Sequence, residues 1–168
     1  NGTGPVAVLE ASNFPMAFGV LGGDTISALA ARCPVVVKVH PGHPGTSAIF
    51  ADCLVAAAKK IGLKTVPFSL LHGDIEVVEN LVRNESLRGV GFTGSRRGGF
   101  AIRKLAEGRK RPLDALSLEM GSINPLFLFP GAVSARYQAI AEGLTGAVFV
   151  GSGQFCTKPQ NVFYVRSD

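Results

Sequence analysis

The chain has 168 residues, 46% hydrophobic and 17% charged, with 17 Lys and Arg against 12 Asp and Glu for a formal net charge of +5. That length suits one domain with a real core, and a charge content below the typical ~25% describes a surface short of solubilising charge, part of it meant for burial elsewhere. The basic residues are dispersed apart from Arg96-Arg97 and Arg109-Lys110-Arg111 and there is no tryptophan or basic-aromatic stripe, so the composition argues against nucleic acid and fits a phosphate-bearing cofactor equally well.

Val6-Ala7-Val8-Leu9 reads as a buried strand, followed by a helix pattern from Met16 to Arg32 that Pro15 opens. Val35 to Val39 is a second apolar run, and Ser47 to Ile61 a second helix. Its core stripe is Phe50, Leu54, Ala57, Ala58 and Ile61, with Thr46 or Ser47 as cap and Gly62 as stop. The rhythm continues with a strand Val66 to Leu71, a helix Ile75 to Arg83, a strand Leu87 to Phe92 and a helix Ser95 to Glu107. Such alternation predicts an α/β fold: an open, mainly parallel sheet with helices on both faces and strands too apolar to be half exposed. After Asp114 the pattern changes to extended segments at Leu116–Met120 and Pro125–Phe129, a helix Ser134 to Val150 and a strand Asn161 to Val165, so a second α/β lobe is expected from about Gly121.

The three cysteines, Cys33, Cys53 and Cys156, are odd in number and lack Cys-x-x-Cys or His spacing, which points away from a disulfide framework or a metal site and toward a reducing, cytoplasmic compartment. Cys33 and Cys53 read as structural. No signal peptide is visible, and the longest charge-free stretches, such as Met120 to Ala135, contain Pro, Gly and Asn and fall short of a membrane span. The opening Asn1-Gly2-Thr3-Gly4, without an initiator methionine, and the end at Arg166-Ser167-Asp168 are read as the ends of a fragment.

Open parallel sheets bind ligands beyond the carboxyl ends of their strands, so the residues that follow each apolar run hold the candidate chemistry. Asn13 either caps a helix or donates its amide to a developing oxyanion. Lys38 stands where a nucleotide ribose or phosphate would lie. It is followed by the rigid His40-Pro41-Gly42-His43-Pro44, whose histidines read as exposed, with no carboxylate or serine placed beside them. Gly94-Ser95-Arg96-Arg97-Gly98-Gly99 is a turn running into a helix N-terminus, a natural anion site although the Gly-x-Gly-x-x-Gly fingerprint is absent. Two arginines in a first helical turn oppose the dipole unless an anion offsets them. Glu119, a lone carboxylate among Leu118, Met120 and Gly121, has surroundings that raise a carboxyl pKa. Cys156, in Gly153-Gln154-Phe155-Cys156-Thr157, is either a small buried hydrophobe or a nucleophile presented on a flexible loop.

In order and spacing, Ala-Ser-Asn-Phe-Pro, Val-Val-Lys-Val-His-Pro, Gly-Phe-Thr-Gly-Ser, Leu-Glu-Met-Gly-Ser-Ile-Asn-Pro and Gly-Gln-Phe-Cys-Thr resemble the aldehyde dehydrogenase superfamily over essentially the whole chain. The likeness is to the branch containing 2-oxoglutarate semialdehyde dehydrogenase and an NADP-dependent fatty aldehyde dehydrogenase. It implies a Rossmann-like nucleotide-binding domain in residues 1–120 and the beginning of a catalytic domain in 121–168. It also implies Cys156 as nucleophile, Glu119 as general base and Asn13 in the oxyanion hole. The cofactor would meet Lys38, His40, Pro41, Gly94, Ser95, Arg96 and Gly99, and no metal is required. Pro41 stands where the family often has a ribose-binding glutamate, which favours NADP slightly over NAD. The parent protein would be a homo-oligomer acting on a small-molecule aldehyde. A coenzyme A-acylating relative and a non-catalytic nucleotide-binding module are the alternatives.

Overall fold

The computed structural model describes residues 2–165; Asn1 and Arg166–Asp168, part of the two ends read above, lie outside the described residues. The chain divides between Met120 and Gly121 into two compact units. In the first, strands β1 (Val6–Leu9), β2 (Val35–Lys38), β3 (Phe68–Leu71), β4 (Gly89–Thr93) and β5 (Ala115–Glu119) form one sheet in the order β3-β2-β1-β4-β5, every pair parallel. Helices α1 (Gly23–Ala30), α2 (Pro44–Lys60), α3 (Ile75–Arg83) and α4 (Arg96–Glu107) connect them. This is the expected doubly wound α/β architecture.

The period-2 alternation of β1 feeds two cores. Ala7 and Leu9 join Val82, Leu87, Val90 and Ile102 on the face covered by α3 and α4. Val8 joins Val20, Val35, Val37 and Ala51 on the face covered by α1 and α2. Only the central strands are sealed on both sides. β3 and β5, at the sheet edges, are half-buried and largely exposed respectively, so the expectation of uniformly buried strands fails where no neighbouring strand continues the sheet.

Three local readings are corrected. The segment from Pro15 to Gly22 is a series of turns and the helix begins only at Gly23. A Cβ at Gly19 would stand 2.1 Å from the Pro15 carbonyl oxygen, so this chain fold requires glycine where a helix would disfavour it. On α2 the buried stripe is Ser47, Ala51 and Ala58, with Phe50 and Leu54 half-buried. Ile61 is 76% exposed, since the helix runs Pro44–Lys60 and ends before it, and Cys53 is exposed too, off the face that carries Ser47, Ala51 and Ala58. Arg109, one of the clustered basic residues noted in the sequence, is buried and so is not available to a partner. Its guanidinium donates to the carbonyls of Val82, Asn84 (2.7 Å) and Leu87 (2.9 Å), and its Nε to that of Arg111 (3.1 Å). It thereby satisfies carbonyls at and beyond the C-terminus of α3 that the helix itself leaves without partners.

In the second unit, β6 (Pro125–Leu128) and β7 (Asn161–Tyr164) pair in parallel and the Phe127 and Phe163 rings stack 5.1 Å apart. Between them α5 runs Pro130–Phe149, starting four residues before the expected Ser134 because Pro130 suits the first helical position, and it breaks at Arg136. A short 3-10 turn, Val150–Gly153, follows. None of the described residues of this unit is fully buried, and Phe129, Phe149 and Tyr164 are each about 70% exposed. Among the described residues no helix is long and apolar enough to cross a membrane.

Replacing Arg109 by Ala is expected to lower unfolding free energy by about 3 kcal/mol, since several buried carbonyls lose their donor. Arg109→Lys should restore little of it, because one ammonium cannot span the same carbonyls. Denaturant midpoints of the two variants against the parent check this, and near-equal stability of Arg109→Ala would refute the assignment.

Candidate active site

Each strand of the first unit delivers its next residues to the same, carboxyl edge of the sheet. β1 ends at Leu9 and hands over to Glu10, Ala11, Ser12 and Asn13. Asn13 is exposed, at the start of a turn closed by Ala17 and Phe18 N–H groups donating to the Phe14 carbonyl at 3.2 and 3.0 Å. The helix that follows begins at Gly23 with Gly22 at its cap position, so Asn13 is not the cap of α1.

Lys38 is the last residue of β2 and is buried. With His40, Pro41, Leu9, Phe92 and Asp74 it lines a cleft of about 520 Å³ beside the reversal of strand order between β1 and β4. The loop after Lys38 is not the exposed pair of histidines that the sequence suggested. His43 is largely buried, and Glu10 and Ser47 are the carboxylate and serine beside it. Ser47 Oγ lies 2.8 Å from Glu10 Oε2 and 3.2 Å from His43 Nδ1, while His43 Nε2 donates to the Ala11 carbonyl at 2.8 Å. The Gly42 N–H donates to His40 Nδ1 at 3.0 Å, and the two imidazoles stack with centroids 5.7 Å apart. Burial, reinforced by His43 and Lys38, holds the His40 pKa below 6.5 against an opposing pull from Glu10.

The turn after β4 is built as a capped helix start. Ser95 Oγ accepts from the Gly98 N–H at 3.1 Å, which uses a lone pair and leaves the hydroxyl proton to be donated. The Gly94 N–H donates to the Glu119 carbonyl at 2.9 Å, tying this turn to the end of β5. Gly99 has a packing reason, because a Cβ there would stand 2.4 Å from the Met120 sulfur. Arg96 lies over the Phe100 ring at 5.5 Å, and Arg97 is exposed.

Glu119 is exposed within its unit and is not a lone carboxylate. Asp24, in the first turn of α1, is close enough that the Glu119 charge adds to burial in raising the Asp24 pKa above 3.8. The desolvated carboxyl is Asp24, and it presses on bare backbone: a Cβ at Gly91 would stand 2.7 Å from Asp24 Oδ2. Sequence reasoning missed it because its neighbours Gly91 and Glu119 lie far away along the chain.

Cys156 lies in the second unit and is half-buried. Gly151, Ser152 and Gly153 take left-handed backbone conformations (φ 57°, 58° and 71°) that turn the chain out of the helix. Asn124, itself at φ 45°, holds the cysteine loop through its side-chain amide, which donates to the carbonyls of Cys156 and of Lys158 (3.1 Å). Ser122 Oγ in turn donates to Asn124 Oδ1 at 2.9 Å. Among the described residues no group of three His, Cys, Asp or Glu gathers into a metal site.

A family model described as "Aldehyde dehydrogenase family" matches residues 1–167. The chain is 50% identical over 159 residues to alpha-ketoglutaric semialdehyde dehydrogenase 2 of Azospirillum brasilense, covering 94% of this chain and 30% of that protein. It is 42% identical to alpha-ketoglutaric semialdehyde dehydrogenase of Acinetobacter baylyi over 99% of this chain and 31% of that protein. The structure superposes on a crystal structure of aldehyde dehydrogenase from Bartonella henselae with TM-score 0.79 at 30% identity, over 96% of this chain and 31% of that one. An E. coli NADP dependent enzyme gives TM-score 0.74 at 28% identity, again over 96% and 31%. The chain thus spans about 30% of the length of the relatives it matches.

His40 is expected to titrate below 6.5 in an NMR pH series, with the Gly42 amide signal moving as its acceptor is protonated. A ring that takes up its proton less readily in the folded chain than in the unfolded one makes stability fall as pH drops below 6.5 and return as pH rises. A midpoint at or above 6.5 would contradict this environment.

Proposed function

The chain belongs to the aldehyde dehydrogenase family, and on that premise we propose that it forms part of an NAD(P)-dependent enzyme that oxidises 2-oxoglutarate semialdehyde to the carboxylic acid. Residues 1–120 would be part of its nucleotide-binding domain and 121–168 the beginning of its catalytic domain, in a cytoplasmic homo-oligomer. The observation that carries the substrate assignment is the 50% identity to the Azospirillum protein across 94% of this chain. The mechanism rests on residue types that can do the chemistry.

The cleft residues fit a nicotinamide dinucleotide. Lys38, buried at a strand end beside a cleft of about 520 Å³, offers an ammonium to a ribose or its 2′-phosphate, and Ser95 keeps a hydroxyl proton for the pyrophosphate. When bound, the nicotinamide accepts the hydride that the substrate loses. Cys156 as thiolate adds to the aldehyde carbon and forms the C–S bond of a thiohemiacetal. The Asn13 amide and the Cys156 backbone N–H donate to the oxyanion that develops there. Once the carbon is oxidised to the thioester, Glu119 takes a proton from water. The hydroxide adds to the carbonyl, and collapse breaks the C–S bond to release the acid and the thiolate. A base at this position favours water over coenzyme A as the acyl acceptor.

Pro41 in place of a carboxylate, with Lys38 and His40 nearby, favours NADP over NAD. Asp74 and Glu76 line the same cleft and temper that preference by repelling a 2′-phosphate.

In the complete enzyme, Cys156→Ala is expected to remove aldehyde-dependent formation of reduced cofactor, a loss of at least about a thousandfold. Reduced-cofactor production that survives the substitution would disprove the nucleophile. Glu119→Gln should keep a first-turnover burst while slowing steady-state turnover by roughly 10²- to 10⁴-fold; an unchanged steady-state rate in stopped-flow traces would remove it from the base role. Lys38→Ala should weaken NADP more than NAD in fluorescence titrations of the reduced cofactors, and equal weakening would exclude a 2′-phosphate contact.

A further inference from the structure

Glu10 has no part in the chemistry just described, yet it is one of the few charged groups buried in this chain and its side chain is 0% exposed. An apolar residue after Val6-Ala7-Val8-Leu9 would continue the core without the cost of desolvating a carboxylate. The donors that offset the cost all come from the loop between β2 and α2 or from the first turn of α2. The His40 N–H reaches Glu10 Oε2 at 3.0 Å, the Ser47 hydroxyl reaches the same oxygen at 2.8 Å, and His43 Nδ1 stands 3.9 Å from it. Glu10 Oε1 is buried and has no hydrogen-bond partner among the described residues. The carboxylate therefore gathers its donors on one oxygen, all from one direction.

The same loop is tied to β1 a second time, one residue further on, where His43 Nε2 donates to the Ala11 carbonyl at 2.8 Å. At the loop tip a Cβ placed on Gly42 would stand 3.6 Å from the Ser12 Cβ. Residues 10, 11 and 12 thus each meet the loop that carries His40 and Pro41, and Asn13 comes next.

We propose that Glu10 is a positioning residue: it holds the loop His40–His43 in the shape that receives the cofactor's adenosine end and couples that loop to the segment presenting Asn13. This inference rests on the functional reading above. It assigns to Glu10, with Ser47 and His43 as its partners, a link within the first unit between cofactor binding and Asn13.

The test uses the complete enzyme and its Glu10→Gln and Ser47→Ala variants. The measurements are the dissociation constants of NADPH and NADH by fluorescence, the cofactor KM, and kcat per active site counted from the acyl-enzyme burst. Loss of a hydrogen bond to a buried charge is expected to raise the cofactor dissociation constant about tenfold in Glu10→Gln, and by roughly threefold in Ser47→Ala. kcat per active site should fall alongside, as Asn13 is displaced.

A purely structural role would lower the melting temperature and the number of active sites while leaving both quantities per site at parental values, and that result overturns the proposal. Should Glu10→Gln fail to fold, Ser47→Ala decides by the same readouts, and unchanged cofactor binding in it is equally fatal. If the unsubstituted enzyme binds neither reduced cofactor, the proposed function fails and the role of Glu10 with it. If the enzyme binds cofactor and the variants bind it equally well, only the positioning role fails.

Discussion

β1 is hydrogen-bonded to β2 on one side and β4 on the other and is covered by helices on both faces. A strand closed in this way can interact with anything new only at its end. Parallel pairing then sends every strand out on the same edge, and the crossover helices leave from there. The reversal of strand order at β1 parts the connections to either side, which opens the cleft beside Lys38. The candidate residues of the first unit lie along this edge because the sheet permits no other place for them.

The distribution of charge follows from the same geometry. A chain with only 17% charged residues nevertheless buries Glu10, Lys38, Arg88 and Arg109. Arg88 pairs with Asp114, and Arg109 gathers carbonyls beyond α3; both sit at the amino-terminal side of β4 and β5 and hold connections together. Glu10 and Lys38 sit at the opposite edge, on the cleft. Charges at the closed edge are neutralised by the protein's own backbone and side chains. Those at the open edge include a carboxylate oxygen and an ammonium that the described residues leave without a partner of opposite charge in direct contact.

The sheet was legible because apolar runs four or five residues long, separated by helical stripes, have few other solutions. Ile75–Arg83 and Ala115–Glu119 fall where their periodicity puts them, the latter within a residue. What escaped the sequence depended on approach between distant segments. Met16 to Gly22 has helical spacing, but Gly19 and Gly22 are there for close backbone contacts that no local pattern reveals. His43 looked like a loop residue because its partners, Glu10 and Ala11, belong to another strand; a charged residue closing an apolar run, and the spacing of four between His43 and Ser47, were the available signals. Cys156 and Asn13 were singled out as chemistry-bearing residues, whereas Asn124, though it stands in the quoted Leu-Glu-Met-Gly-Ser-Ile-Asn-Pro motif, was given no role, because the Cys156 and Lys158 carbonyls it holds lie more than 30 residues further along the chain.

The central position of β1 also bears on how the fold is reached. Val6 pairs with Val35 and with Gly89, so during synthesis β1, which precedes both partners in the chain, can be joined on one side by β2 while its other side stays open until β4 follows. Pairings so far apart in sequence make for slow, non-local assembly and leave an apolar edge available to the wrong partner meanwhile. β4 carries Gly89 and Gly91 where it meets Val6 and Asp24, so the strand that follows β1 and β2 in the chain has little side chain to fit into the middle of the sheet.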